Sequence, residues 1–322
     1  MLSYYEAMID ASVHRSDPLS VEDDLRAQLA RGDAVAGSVT PILRHLLAVE
    51  DNTLFSEEIV ARVRGMLADL AGQLIGKPEE TGADEHRIAI LAALLAQNTP
   101  LLTHAHALAL EWRLTERLHA RLSLDTVLSP LMQSLIASPE AATSALAMTV
   151  LAAQARFCQS QRRMQLPLTE LPADLLHVAL VSLRGFAGSE PATDTLAAGR
   201  ETEIRQEYDE GATRLAMLSR LVAELDGGAI VAIRVPHAGC ALFLSALATG
   251  AGLDRDAMVL ATHETQRARL ALALRRAGLE TPVLEEQLLS IDPDLSVPDG
   301  IARISIHDAG VLLSESGALA RP

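Results

Sequence analysis

Apolar residues recur along this chain every three or four positions far more often than every two, a pattern that predicts helices almost throughout. The clearest stretch runs through Ile59, Val63, Met66, Leu67, Leu70 and Leu74. Ser56 precedes it, Glu57 and Glu58 fill its first turn, and Gly76 closes it. The same period predicts helices near 21–31, 84–97, 100–121, 124–137, 139–159, 173–186 and 201–225, and again near 240–249, 255–261 and 266–277. Four expected starts pair a capping hydroxyl with proline at the first helical position: Thr40-Pro41, Thr99-Pro100, Ser138-Pro139 and Thr281-Pro282. The hydroxyl accepts an orphaned backbone N–H, and proline has none to leave unpaired. Ile230-Val231-Ala232-Ile233 alone reads as a strand, too short and solitary to build a sheet.

Breaks at 76–82 and 188–199 are polar and rich in Gly, Pro and Thr, as linkers are. The second is the expected boundary between an N-terminal helical lobe, 1–187, and a C-terminal one, 201–322. Two internal echoes suggest repetition. Leu122, Leu124, Val127, Leu131 and Met132 return 44 positions later as Leu166, Leu168, Leu171, Leu175 and Leu176, an offset typical of two-helix HEAT-like repeats. Ala251-Gly252-Leu253 returns as Ala277-Gly278-Leu279, each a glycine stop with a leucine tucked beneath it. The expected fold is all-α: stacked helical hairpins in a HEAT-like or irregular helical repeat, arranged in two lobes.

Composition sharpens this picture. With 322 residues, 49% of them hydrophobic but only 2% aromatic, the core has to be built from Leu, Ala, Val and Ile, which suits close-packed helices. A net charge of −15 repels a phosphate backbone, so no nucleic-acid partner is expected. Residues 1–10 carry acids and lack a basic-then-apolar signal, and the most apolar stretch, 144–155, is too short to cross a bilayer. A cytoplasmic protein without membrane insertion is expected, its two cysteines, Cys158 and Cys240, reduced.

Candidate chemistry is sparse. Projected at 100 degrees per residue, the helix near 100–121 places His104, Glu111 and Thr115 within its apolar half and His106, Arg113, Arg117 and Arg121 opposite. His104 and Glu111 are about 10 Å apart along the axis, too far to touch, so each needs partners from other helices. Cys240, three residues after His237, falls in a first helical turn, where a thiol pKa can drop; its bland alternative is a small core residue. No metal site is expected: His104 and His106 are two apart and diverge, unlike the i, i+4 pair of a zinc helix. Gly250-Ala251-Gly252 follows a helix rather than a strand, so it reads as a helix stop, and no cofactor is expected. Arg113, Arg117 and Arg121 climb one side of their helix as a basic stripe on an acidic chain, the place where contact with a partner is expected; the bland alternative is a solvated face.

The run from Leu242 through Phe243, Leu244, Ser245, Ala246 and Leu247 to Ala248, followed by Ala251-Gly252-Leu253 and then by Leu274-Arg275-Arg276-Ala277-Gly278-Leu279, resembles the C-terminal part of the alphaproteobacterial family known as domain of unknown function 2336. The resemblance covers roughly residues 205–290. It departs from the family at Pro236-His237, and it implies a helical fold with no catalytic residues to carry over. Together these readings point to a non-enzymatic protein-interaction or regulatory scaffold with a protein partner. The alternative is a small-ligand binder or enzyme using an interhelical cavity near His104 and Glu111 or near Cys240 and His237.

Overall fold

The computed structural model describes residues 18–48, 57–76, 82–188, 191–225 and 227–316. Among these residues every regular element is helical and no strand forms. The helices are α1 (Pro18–Ala48), α2 (Glu57–Ile75), α3 (Gly82–Gln97), α4 (Thr99–Leu122), α5 (Pro130–Ile136), α6 (Ala141–Arg162) and α7 (Ala173–Ala187). There follow α8 (Pro191–Glu207), α9 (Arg214–Ala223), α10 (Val235–Ala251), α11 (Arg255–Ala261), α12 (Arg267–Arg276), α13 (Thr281–Ile291) and α14 (Ile306–Glu315). Ile230 to Ile233, read as a strand, lies in and beside a 3-10 turn, Ala229–Ala232.

Helix starts obey the capping logic more often than they use the expected residues. Asn98, not Thr99, caps α4 by accepting the Leu101 N–H at 3.0 Å. Ser129, before Pro130, caps α5 by accepting the Met132 N–H, a bond of a kind that contributes about 1 kcal/mol. Ser138-Pro139 leads into α6 from outside, the Ser138 hydroxyl accepting the Glu140 N–H, and α13 starts at Thr281 without a side-chain cap. At Thr40-Pro41 no helix begins: α1 runs through Pro41. The missing N–H is offset by tertiary packing, since Leu43 and Leu46 are buried and Arg44 donates to the carbonyls of Ala96 and Gln97 at the end of α3. Ser56 and residues 77–81 lie outside the described residues.

Two expected outlines change. The polar stretch 188–199 is no linker over 191–199, because these residues are the first turns of α8, where Ala197 and later Ile204 are buried. The expected helix 201–225 is broken instead: Asp209 turns its side chain onto the Gly211 N–H, Thr213 caps α9, and the Tyr208 hydroxyl donates to the Leu171 carbonyl.

The buried side chains form two clusters that cut across a division at 187–201. One is built on α2, α3 and α7, with the first half of α4 and part of α8. The other centres on α10 and takes in α9, α11, α12, α13 and α14, with the second half of α4, the middle of α6 and the start of α1. α10 is apolar all round, as a helix enclosed by neighbours must be. The 44-residue echo falls on comparable places in the two clusters: each copy leads from a loop into one helix and then a second, burying Leu131 and Met132 in one and Leu175 and Leu176 in the other, although α5 is 7 residues long and α7 is 15. The shorter echo is a pair of matching C-caps. Gly252 and Gly278 have positive φ (68° and 98°), and Leu253 and Leu279 donate their N–H groups to the carbonyls of Ala248 and Leu274.

Candidate functional site

Helix α4 passes through both clusters, and its polar residues meet other helices from both sides. Glu111, fully buried, receives two guanidinium groups at once. Arg214, the first residue of α9, donates to its Oε1 and Oε2 at 2.8 and 3.0 Å. Arg255, the first residue of α11, donates to the same two oxygens at 2.7 and 2.8 Å. Both arginines are further held, Arg214 by the Gln154 side-chain Oε1 and by stacking on the Phe157 ring at 3.7 Å, Arg255 by the Ser245 hydroxyl. Burial alone would push the Glu111 carboxyl up, but the paired guanidiniums override it and hold the acid well below the usual carboxylate range.

This geometry settles what Glu111 can do. A carboxylate has about four acceptor positions, and all four are taken by charged donors. It has neither the proton affinity of a general base nor a free lone pair for a nucleophile. His104 likewise finds its partner on another helix: its Nδ1 lies 2.7 Å from Asp256 Oδ2, while its Nε2 is buried without a hydrogen-bond partner. His104 and Glu111 are thus joined to consecutive residues of α11 and not to each other, while Thr115, the third polar residue of the apolar stripe, donates to the Glu111 backbone carbonyl.

Cys240 occupies the first regular turn of α10, just after Gly239, which takes a left-handed φ of 71°. A Cβ at Gly239 would meet the Ser129 Cβ at 3.0 Å, so both backbone and packing require glycine there. The thiol is nonetheless unreactive in character. Burial, reinforced by the Glu111 carboxylate, pushes its pKa up to about 12, and it donates weakly to the Glu111 backbone carbonyl. No bond joins it to His237. Burial also raises Cys158, and both cysteines are unpaired and buried. In the folded protein neither thiol is expected to react with iodoacetamide at pH 8 over a period that fully labels the chain in 6 M urea. Intact mass would read this directly, and rapid native labelling of Cys240 would contradict the assignment.

The basic stripe is largely spent inside the molecule. Arg117 donates to the Ile291 carbonyl and pairs with Asp292 at 3.5 Å, and Arg121 donates to the carbonyls of Leu289, Ser290 and Ile291. Both guanidiniums therefore cap the C-terminus of α13, where the helix dipole favours them. Arg113 is exposed and has no partner among the described residues. Glu116 does not bridge the stripe; the charges that act on it are those of Arg62, Glu58 and Arg162. His106, placed on the solvent side with the arginines, is in fact buried, because α4 is packed on by α2, α10 and α11 and little of its circumference stays wet.

Beside Arg214 a cleft of about 370 Å³ opens between the end of α6, the segment 163–170 and the start of α9. Phe157, Gln161, Arg156, Arg163, Glu170 and Arg214 line it. Periodicity gives no sign of it: its walls bring Leu108, the stretch 156–170 and residues 214 and 215 together, and the turn that presents Arg214 falls inside the expected helix 201–225. Among the described residues no group of three His, Cys, Asp or Glu side chains could hold a metal ion. No single helix there is long and apolar enough to cross a membrane. No family model, curated protein or solved structure matches this chain.

Proposed function

We propose that the protein is a non-enzymatic regulatory module that docks a helix of a partner protein on α3. The observation that carries this reading is that α3 is apolar on two sides. Leu91 and Leu95 are fully buried, while Ile90 and Leu94, one helical turn apart, are 42% and 41% exposed, with exposed Ala89 and Ala93 beside them. A helix apolar all round is normally enclosed, and an open strip of this width fits one helix laid alongside. The chain's net charge of −15 selects a partner whose apolar face is flanked by Arg or Lys. The saturated state of Glu111 and the raised thiol of Cys240 support a scaffold over a catalyst.

A photo-crosslinking residue in place of Ala93 tests this in the full chain. The expected result is an adduct to a single amphipathic, basic-flanked helical segment, reduced at least about tenfold by I90E/L94E, two exposed changes that should alter stability by under about 1 kcal/mol. No adduct, or an adduct that the double variant leaves intact, overturns the reading. The cleft beside Arg214 favours a second activity in the same module, small-ligand binding.

A further inference from the structure

The cleft beside Arg214 is built of three contrasting parts. Its rim is basic: Arg156 and Arg163 are seven residues apart, which on α6 and its cap sets them on one side about 10 Å apart along the axis. Both are exposed, and neither guanidinium has a hydrogen-bond or ion-pair partner among the described residues. They share this with Arg113, whereas Arg26, Arg44, Arg117, Arg121, Arg200 and Arg255 find internal acceptors. The floor is apolar, with the Phe157 ring against the Arg214 guanidinium, which shares the Glu111 carboxylate with Arg255. The third part is Gln161, 1% exposed, whose Oε1 has no donor. Its amide nitrogen meets only the Met66 sulfur, and its backbone carbonyl is occupied by Arg62. A buried amide oxygen without a donor is rare enough to call for one.

Among the described residues Glu170 is the one acid on the cleft lining, and it is engaged as a helix cap, its Oε2 accepting the Arg214 backbone N–H at 2.8 Å. The lining therefore keeps a local positive excess. Its volume lies within the range of small-molecule sites, about 300–1,000 Å³. We infer that this cleft binds a small organic oxyanion carrying a hydroxyl group, the phosphate or carboxylate drawn to Arg156 and Arg163 and the hydroxyl donating to Gln161. The guanidiniums supply paired charged donors, which suit either oxyanion. The inference is independent of partner docking on α3.

Titration calorimetry of the full chain with malate, succinate, glycerol 3-phosphate and propyl phosphate tests it. Saturable binding of malate or of glycerol 3-phosphate is expected, and which of the two binds decides between carboxylate and phosphate. R156A/R163A, two exposed substitutions that should leave the fold intact, is expected to weaken that binding about tenfold or more. The hydroxyl-bearing ligand should also bind more tightly than its partner without one: malate over succinate, or glycerol 3-phosphate over propyl phosphate. Absence of saturable heat for both, or unchanged affinity in R156A/R163A, overturns the site. Equal affinity for the two members of a pair overturns the role given to Gln161. Circular dichroism of each variant separates lost binding from lost fold.

Discussion

Replacing Glu111 with alanine is expected to destabilise the protein by about 3–5 kcal/mol, because it leaves two buried guanidiniums facing each other with no counter-charge. Arg214 is 2% exposed, and the side chain of Arg255 is 13% exposed, so water can do little to replace the lost carboxylate. A domain has about 5–15 kcal/mol in all, so the loss is a large part of the total. The position magnifies it: Glu111 is where α4, α9 and α11 meet, and α4 contributes side chains to both hydrophobic clusters. Urea unfolding followed by the fluorescence of Trp112, the single tryptophan and itself buried, measures the change. A midpoint shift worth less than about 1 kcal/mol would mean that the centre is solvated or that the arginines find other acceptors. Replacing all three charged residues by apolar ones, E111M/R214M/R255L, should recover much of the loss, since an apolar core of similar volume carries no desolvation cost.

The half of this centre that lay on one helix was legible. His104 and Glu111 stand out as polar residues within an apolar stripe, and their separation along α4 already required partners from elsewhere. The partners were not legible, because Arg214 and Arg255 are 103 and 144 positions away and no local period marks them. Arg214 was further hidden inside an expected helix whose break rests on side-chain turns: Asp209 onto Gly211, and Thr213 onto Ala216. These are short polar signals that a hydrophobic period passes over.

The expected start at Thr40 fails for a tertiary reason. A hydroxyl before proline marks Thr40 and Ser129 alike, but only Ser129 leads out of a loop; Thr40 sits where burial of Leu43 and Leu46 keeps the helix going. The arginine stripe was located correctly on its helix, yet periodicity gives no hint that the end of α13 would lie against it and use two of its three guanidiniums. The glycine stops at Gly252 and Gly278 were read in full from sequence, since a positive-φ C-cap is decided by the glycine and its immediate neighbours.

The same enclosure of α4 makes the fold sensitive to acid through His106. That side chain is 7% exposed, and burial, aided by the nearby charge of His263, lowers its pKa from an ordinary 6.5 to about 4. The unfolded chain therefore takes up a proton at His106 over a range of pH where the folded chain does not. Stability from this residue is complete above about pH 6.5, declines as pH falls through the interval, and is lost once the folded pKa is passed. Between pH 7 and pH 5 the loss amounts to about 2 kcal/mol, at 1.36 kcal/mol per unit of separation. Glu111 does not confuse the measurement: its acid is held below the ordinary carboxylate range, so its contribution is present above its unfolded value of 4.5 and fades only at lower pH. Urea unfolding at pH 7, 6 and 5 should show the wild-type midpoint falling, and H106Q, which cannot titrate, should hold nearly level over the same range. If H106Q loses stability as steeply as the wild type, the acid sensitivity belongs to another group and His106 is hydrated when it is protonated in the folded state.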